Sequence, residues 1–279
     1  MDGKEYSLFE GEVRKNRNGD LAKRGKLRIF DTSTWKIKRS VDYKDSSGVF
    51  SSDGRFFICP NSVLDIKTGK SHPLKLQKVP QDDKSGGIDA RYGIFDNMFG
   101  KGIDVMPSGK TVIALKSSGY GNRGLVFYDI ASGKMVKELD KLPIQGFRVF
   151  PDGKRMLATY FEDGRNYEDG SGRLVVIDLE QGEVLFSIVT KGNNKTPYAV
   201  SPDGKYFAAY VMYEGLKIFD ATTYQPISTI AMNFSYIDHI VFLQDCKTLA
   251  YVTTEMDMSG NQASDEYRRK YRIRLFRAE

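Results

Sequence analysis

The sequence predicts an all-β fold, a β-propeller of four-stranded antiparallel blades running as one domain through residues 1–279. Three observations predict it. One phrase recurs about six times at a spacing of roughly 40–50 residues, the period of propeller blades. Its apolar runs are short, rich in aromatic and β-branched residues and bounded by Gly or Pro, whereas no segment offers a long helical pattern. A strand that closes on Asp recurs in five of the copies.

The phrase opens on a tight turn. Asp-Gly stands at Asp2-Gly3, Asp53-Gly54, Asp152-Gly153 and Asp203-Gly204, with Ser108-Gly109 and Asp245-Cys246 as imperfect copies. Gly supplies the positive φ of a tight hairpin and Asp bonds its own backbone, so each pair marks a hairpin. An apolar run such as Tyr206–Val211 follows. The next strand ends at Asp31, Asp65, Asp129, Asp178 or Asp220, and in the last copy it reads Arg272-Ile273-Arg274-Leu275-Phe276 without the Asp. A second turn, such as Ala131-Ser132-Gly133-Lys134, leads to one more strand, such as Val184–Val189, which makes each unit a four-stranded meander.

At this level the chain resembles the WD-repeat and YVTN-type β-propellers over almost its whole length. The residues that carry the resemblance are the Ser201-Pro202-Asp203-Gly204-Lys205 turn and the Phe219-Asp220-Ala221-Thr222-Thr223 strand end, echoed in the other copies. No Trp-Asp pair closes a strand and no Gly-His dipeptide precedes a blade, so the chain resembles a divergent member. Such propellers include binding scaffolds, lactonases, dehydrogenases and peptidase gates, and the resemblance implies the fold more than any one of these activities.

The first and last blades are expected to be incomplete. With Asp2-Gly3-Lys4 as the first turn, blade one begins at its second strand, Tyr6-Ser7-Leu8-Phe9. The last blade stops at its third strand, near Phe276. Either a segment is missing upstream, the favoured expectation and one that would allow a seventh repeat in the full-length protein, or the seam closes irregularly. Such a segment could carry a signal peptide; with none visible, the cytoplasm is the expected compartment.

Composition fits one large β domain whose core needs no staples. The two cysteines, Cys59 in a strand-like run and Cys246 at a turn, have no metal or redox spacing. No apolar stretch approaches the ~20 residues that span a bilayer. The net charge of +6 is mild. Residues 265–279 hold six Lys or Arg against three acids, and residues 1–45 hold twelve against eight. Arg268, Arg269, Lys270, Arg272 and Arg274 therefore form a candidate basic seam for nucleic acid or another polyanion. The alternation in Tyr271-Arg272-Ile273-Arg274-Leu275 reads equally as an edge strand with the arginines wet and the apolar residues buried.

Departures from the repeat point to a surface. Long insertions follow second strands at Arg14–Gly25, Lys116–Gly124, Glu162–Gly172 and Thr254–Lys270, and the longest connection, about Gln77 to Gly102, follows a fourth strand. In a meander both kinds leave at the same end. The connections at the other end stay minimal. Long loops in a compact domain are usually functional or disordered. These contain Arg91, Tyr92, Phe95, Tyr120, Asn122, Arg123, Arg165, Asn166 and Tyr167, and Tyr and Arg are favoured anchors of protein interfaces.

Searches for chemistry return little. Gly119–Gly124 matches a GxGxxG phosphate loop, but a strand follows where the pyrophosphate would need a helix start. The acidic Glu162-Asp163 and Glu168-Asp169 lack the ligand spacing of a calcium loop. Two histidines, His72 and His239, cannot form a three-His metal site. Asp238 beside His239 is a weak acid/base suggestion, since neighbours in a strand point to opposite faces. No Gly-x-Ser-x-Gly elbow occurs. No catalytic residue, metal or cofactor is therefore assigned. The expected function is a non-catalytic scaffold docking a protein partner on its loop-rich face, as one subunit of a larger complex. The alternatives are a lactonase- or dehydrogenase-type enzyme using carboxylates around a central channel, and polyanion binding at the basic seam.

Overall fold

The computed structural model describes residues 5–15, 21–31, 34, 36–43, 49–51, 55–59, 62–73, 102–116, 124–140, 142–160, 172–190, 196–211, 213–231, 236–243, 245–256 and 269–277. These form six antiparallel sheets of consecutive strands. The first holds β1 (Glu5–Lys15), β2 (Leu21–Asp31) and β3 (Ile37–Tyr43), the second β4 (Val49–Phe50), β5 (Phe56–Cys59), β6 (Ser62–Asp65) and β7 (Ser71–Pro73). The third holds β8 (Ile103–Val105), β9 (Thr111–Lys116), β10 (Gly124–Asp129) and β11 (Met135–Leu139). The fourth holds β12 (Ile144–Val149), β13 (Arg155–Tyr160), β14 (Arg173–Asp178) and β15 (Val184–Val189). The fifth holds β16 (Tyr198–Val200), β17 (Tyr206–Val211), β18 (Gly215–Asp220) and β19 (Pro226–Ile230), and the sixth β20 (Tyr236–Phe242), β21 (Thr248–Met256) and β22 (Arg269–Arg277). The architecture is all-β, with a four-stranded antiparallel, blade-like meander as its recurring unit.

Two compact units divide the chain, Met1–Phe147 and Arg148–Glu279. In the first unit the second sheet is buried on both faces. Phe57 and Leu64 pack with Leu27 and Ile29 of the first sheet, while Phe56, Ile58 and Val63 pack with Ile103, Val112 and Val126 of the third. Adjacent strand residues point to opposite faces, so one short run serves two neighbours. The second unit repeats the device. Phe207, Ala209 and Phe219 face Phe150, Leu157 and Leu174, and Ala208, Leu216 and Ile218 face Leu249 and Tyr251. Each fully buried large apolar side chain contributes about 1.5–3 kcal/mol, which explains why these central strands read as near-continuous apolar runs.

The turns behave as their chemistry predicts. Between first and second strands, the N–H of Gly109, Gly153 and Gly204 bonds the carbonyl of Met106, Phe150 and Ser201 at 2.8–2.9 Å, with φ near +70°. Cys246 occupies the same place in the sixth sheet, bonding Leu243 at 3.0 Å with φ 58°. The strand-ending Asp proves to organise the second turn. Its Oδ1 accepts the N–H three residues on in all five sheets that have it: Thr34 at 2.9 Å, Thr68 at 3.0 Å, Ser132 at 2.7 Å, Gln181 at 2.8 Å and Thr223 at 2.7 Å. Gly69, Gly133 and Gly182 then take the left-handed position of that turn, and in the fifth sheet Tyr224 takes it with φ 59°.

Among the described residues the first and sixth sheets hold three strands each. β1 pairs β2 as a second strand pairs a third, and β22 pairs β21 as a third pairs a second. One expected insertion is corrected. Arg14–Gly25 belongs largely to a long hairpin, paired as far as Lys15 opposite Leu21. The ends of the Thr254–Lys270 segment are paired as far as Met256 opposite Arg269, and residues 257–268 lie outside the described residues. Charged residues such as Lys23 and Arg24 hid the strands because ladder hydrogen bonds, which composition does not reveal, carry them past the packed core.

Candidate interaction surface

The connections after second strands are mounted on hairpins that stay paired to their last residues. Lys116 faces Gly124 and Tyr160 faces Arg173, on either side of connections 117–123 and 161–171. The nine loop residues expected to bind a partner, Arg91, Tyr92, Phe95, Tyr120, Asn122, Arg123, Arg165, Asn166 and Tyr167, lie outside the described residues. Gly124, at the start of β10, lies hard against the end of the neighbouring β11. A Cβ there would meet the Leu139 carbonyl oxygen at 2.4 Å, and the strand Gly124–Asp129 that follows is not a helix start.

In the fifth sheet the same connection is minimal, with Val211 paired to Gly215 and the Glu214 N–H bonding the Val211 carbonyl at 3.0 Å. At its tip stands Tyr213, 85% exposed. Its φ is 69°, a left-handed conformation that bulky residues rarely take. Glu214 carries an ion pair to Lys217 beside it. Reading the sequence missed Tyr213, although an aromatic residue just before Gly215 in so short a hairpin was the available signal.

The basic residues are placed in part. Arg268 lies outside the described residues. Arg269 and Lys270 open β22, opposite Met256 and Glu255. Arg272 and Arg274 follow, both exposed. The expected arrangement of this strand is overturned. Arg272 and Arg274 lie opposite Thr253 and Tyr251, on the face turned toward the fifth sheet, whereas Ile273 and Leu275 lie opposite Val252 and Ala250 on the other face. Ile273 is 77% exposed and Leu275 67%. A long arginine stem can share an apolar row while its head stays wet, so the side the arginines occupy is set by the neighbouring sheet and not by polarity.

The carboxylates that stand out are turn-formers. Hydrogen bonds from the Ser132 side chain and N–H hold Asp129 below its ordinary value, and the Thr223 and Thr222 N–H groups do the same for Asp220. At Asp65 burial pushes upward, but the Thr68 N–H and the Arg55 guanidinium, 3.0 Å away, outweigh it. Asp245 is lowered by the Thr248 hydroxyl and N–H, with Arg277 adding its charge. A further carboxylate that sequence reading missed, Asp104 on β8, is fully buried and accepts the Val105 N–H at 2.8 Å.

Other candidates disperse. A bulge between Ile237 and His239 in β20 sets Asp238 out of the ladder, and His239 is exposed opposite Val252. His72 is half-buried in β7. Among the described residues no group of three or more His, Cys, Asp or Glu could hold a metal ion, and no helix is long and apolar enough to cross a membrane. The acidic Glu162–Asp169 stretch lies outside the described residues.

No family model matches the chain, and no curated protein does. Among solved structures it is similar to Kuenenia stuttgartiensis hydrazine synthase, at 17% identity over 95% of this chain and 94% of that one, TM-score 0.46. It is also similar to the Myceliophteria thermophila Cps50 (Swd1) β-propeller domain, at 18% identity over 86% and 78%, TM-score 0.49. Likeness at this level transfers no activity.

Proposed function

We propose that the chain is a β-propeller scaffold, its six sheets the successive blades, that docks a protein partner on the end of the blades where the connections after second strands leave. Tyr213 carries the reading. Its ring is held in water at the tip of a minimal hairpin, in a backbone conformation that disfavours an L side chain by about 1–2 kcal/mol. A residue kept exposed against such a penalty points to a role outside the fold. Tyr is also a preferred hot-spot residue, combining contact area with a polar handle at little entropic cost. The sequence places its long connections after the second strands of the third, fourth and sixth sheets as well.

The test is affinity capture from a lysate of the source organism with three baits: the intact chain, Tyr213→Ser, and a variant with residues 117–123 and 161–171 replaced by short turns. A protein retained by the intact chain and lost by both folded variants supports the reading. Retention equal on all three, or none on the intact chain, overturns it.

A further inference from the structure

In five sheets the strand corresponding to β22 has partners on both sides: β2, β6, β10, β14 and β18 each lie between two others. β22 pairs only β21 among the described residues and is the edge of its sheet. Its residues match those of β18 one for one, since Thr248 faces Arg277 as Tyr206 faces Asp220, and Leu249 faces Phe276 as Phe207 faces Phe219. Arg277 thus stands where the five other sheets place the Asp whose carboxylate caps the turn into a fourth strand. The Asp that caps this turn in the five other sheets is replaced here by a residue of opposite charge.

The surface beside that edge is apolar where an edge strand would ordinarily be wet. Ile273 and Leu275 project on the face away from the fifth sheet, exposed among the described residues, Leu275 in a cross-strand row with Ala250 and Val241, which is itself 55% exposed. The strand's charge is one-signed: Arg269, Lys270, Arg272, Arg274 and Arg277, with no acid from 269 to 277. Such an edge repels a second copy of itself, the common use of edge-strand charge. It attracts an acidic strand.

We propose that β22 receives an extended acidic segment of a partner protein as the fourth strand of the sixth sheet. Backbone pairing along the edge supplies affinity and alternate side chains supply selectivity, as in strand addition generally. The register of the fifth sheet, where Leu216 faces Ile230, Lys217 faces Thr229 and Ile218 faces Ser228, fixes the pattern. The guest places apolar residues opposite Ile273 and Leu275 and carboxylates opposite Arg272 and Arg274, an alternation of period two. This surface is separate from the Tyr213 hairpin.

The experiment titrates a dye-labelled nine-residue peptide alternating Glu with Val against the full chain, read by fluorescence anisotropy. Saturable binding is expected, weakened at least tenfold by Pro at the central Val, by Lys for every Glu, or by the Ile273→Thr/Leu275→Thr protein, whose exposed positions leave melting unchanged. Tyr213→Ser leaves it intact, so failure here and failure of the scaffold reading are distinguishable. No binding up to millimolar protein overturns the proposal. So does equal binding of the Pro peptide, or of polyglutamate and a single-stranded oligonucleotide, which would mean polyanion attraction alone. A concentration-dependent dimer in sedimentation, abolished by Ile273→Thr/Leu275→Thr, would assign the edge to a second copy instead.

Discussion

Arg155, on β13 of the fourth sheet, donates a hydrogen bond from Nη1 to the backbone carbonyl of Ala221, at the end of β18 in the fifth. The same guanidinium pairs with Asp152 at 2.8 Å, lies 4.7 Å from the Phe150 ring centre, and meets the Tyr224 hydroxyl. One side chain thus ties a turn of its own sheet to the turn of the next. Arg155→Ala should lower unfolding stability by about 2–3 kcal/mol, the scale for losing a charged hydrogen bond together with a cation–π contact. Arg155→Lys should recover less than half, because an ammonium lacks the planar fork that reaches several acceptors. Denaturant midpoints of the two variants check this.

Cys246 and Tyr224 occupy left-handed positions that Gly fills in sister turns, yet replacing them by Gly should act in opposite directions. Cys246 is half-buried and its thiol meets the Asp203 backbone, a weak sulfur contact worth less than the backbone strain that Gly removes, so Cys246→Gly should stabilise by less than about 1 kcal/mol. Tyr224 stacks on Phe186 with ring centres 5.3 Å apart and meets Arg155. Tyr224→Gly gains the same relief but forfeits aromatic burial and stacking, for a net loss of about 1–2 kcal/mol. Thermal melts of the pair settle the sign.

The strand-ending carboxylates make the fold acid-sensitive in a definite window. Asp65, Asp129 and Asp220 have folded values below their ordinary 3.8. A depressed carboxylate contributes stability that is present above its unfolded value and is lost as pH falls through the folded one. In Asp129→Asn the amide oxygen still accepts the Ser132 N–H, but the charge is gone. The stability gap between wild type and variant should therefore be open at pH 7 and close below about pH 4. Urea unfolding at several pH values reads this directly, and a gap independent of pH would contradict it.

What was legible in the sequence is what short-range chemistry decides. Asp152-Gly153 and even Asp245-Cys246 announced their hairpins because the turn's hydrogen bonds close within four residues. Asp31 and its four counterparts marked strand ends because each carboxylate caps the turn that follows. The orientation of β22 was not legible. Tyr271-Arg272-Ile273-Arg274-Leu275 alternates perfectly, but period two leaves two choices of face, and the choice rests on the fifth sheet's Leu216 and Ile218 packing against Leu249 and Tyr251. Tyr213 was hidden for a similar reason, since its exposure depends on a hairpin so short that it offers the ring nothing to cover it.

The reversed face of β22 makes the last prediction. Had the apolar residues of that strand been core, Ile273→Thr and Leu275→Thr would each cost several kcal/mol as core truncations do. With Ile273 77% and Leu275 67% exposed, each change should move stability by less than about 0.5 kcal/mol, the usual scale for surface substitutions. Leu249→Ala, on the opposite face of the same sheet and fully buried against the fifth sheet, should cost about 2–5 kcal/mol. Arg274 shares the face of Tyr251, a position from which its stem can lie over apolar surface. Arg274→Ser should then cost more than Leu275→Thr, an inversion of the order that polarity alone would give, and one set of urea curves on the four variants decides it.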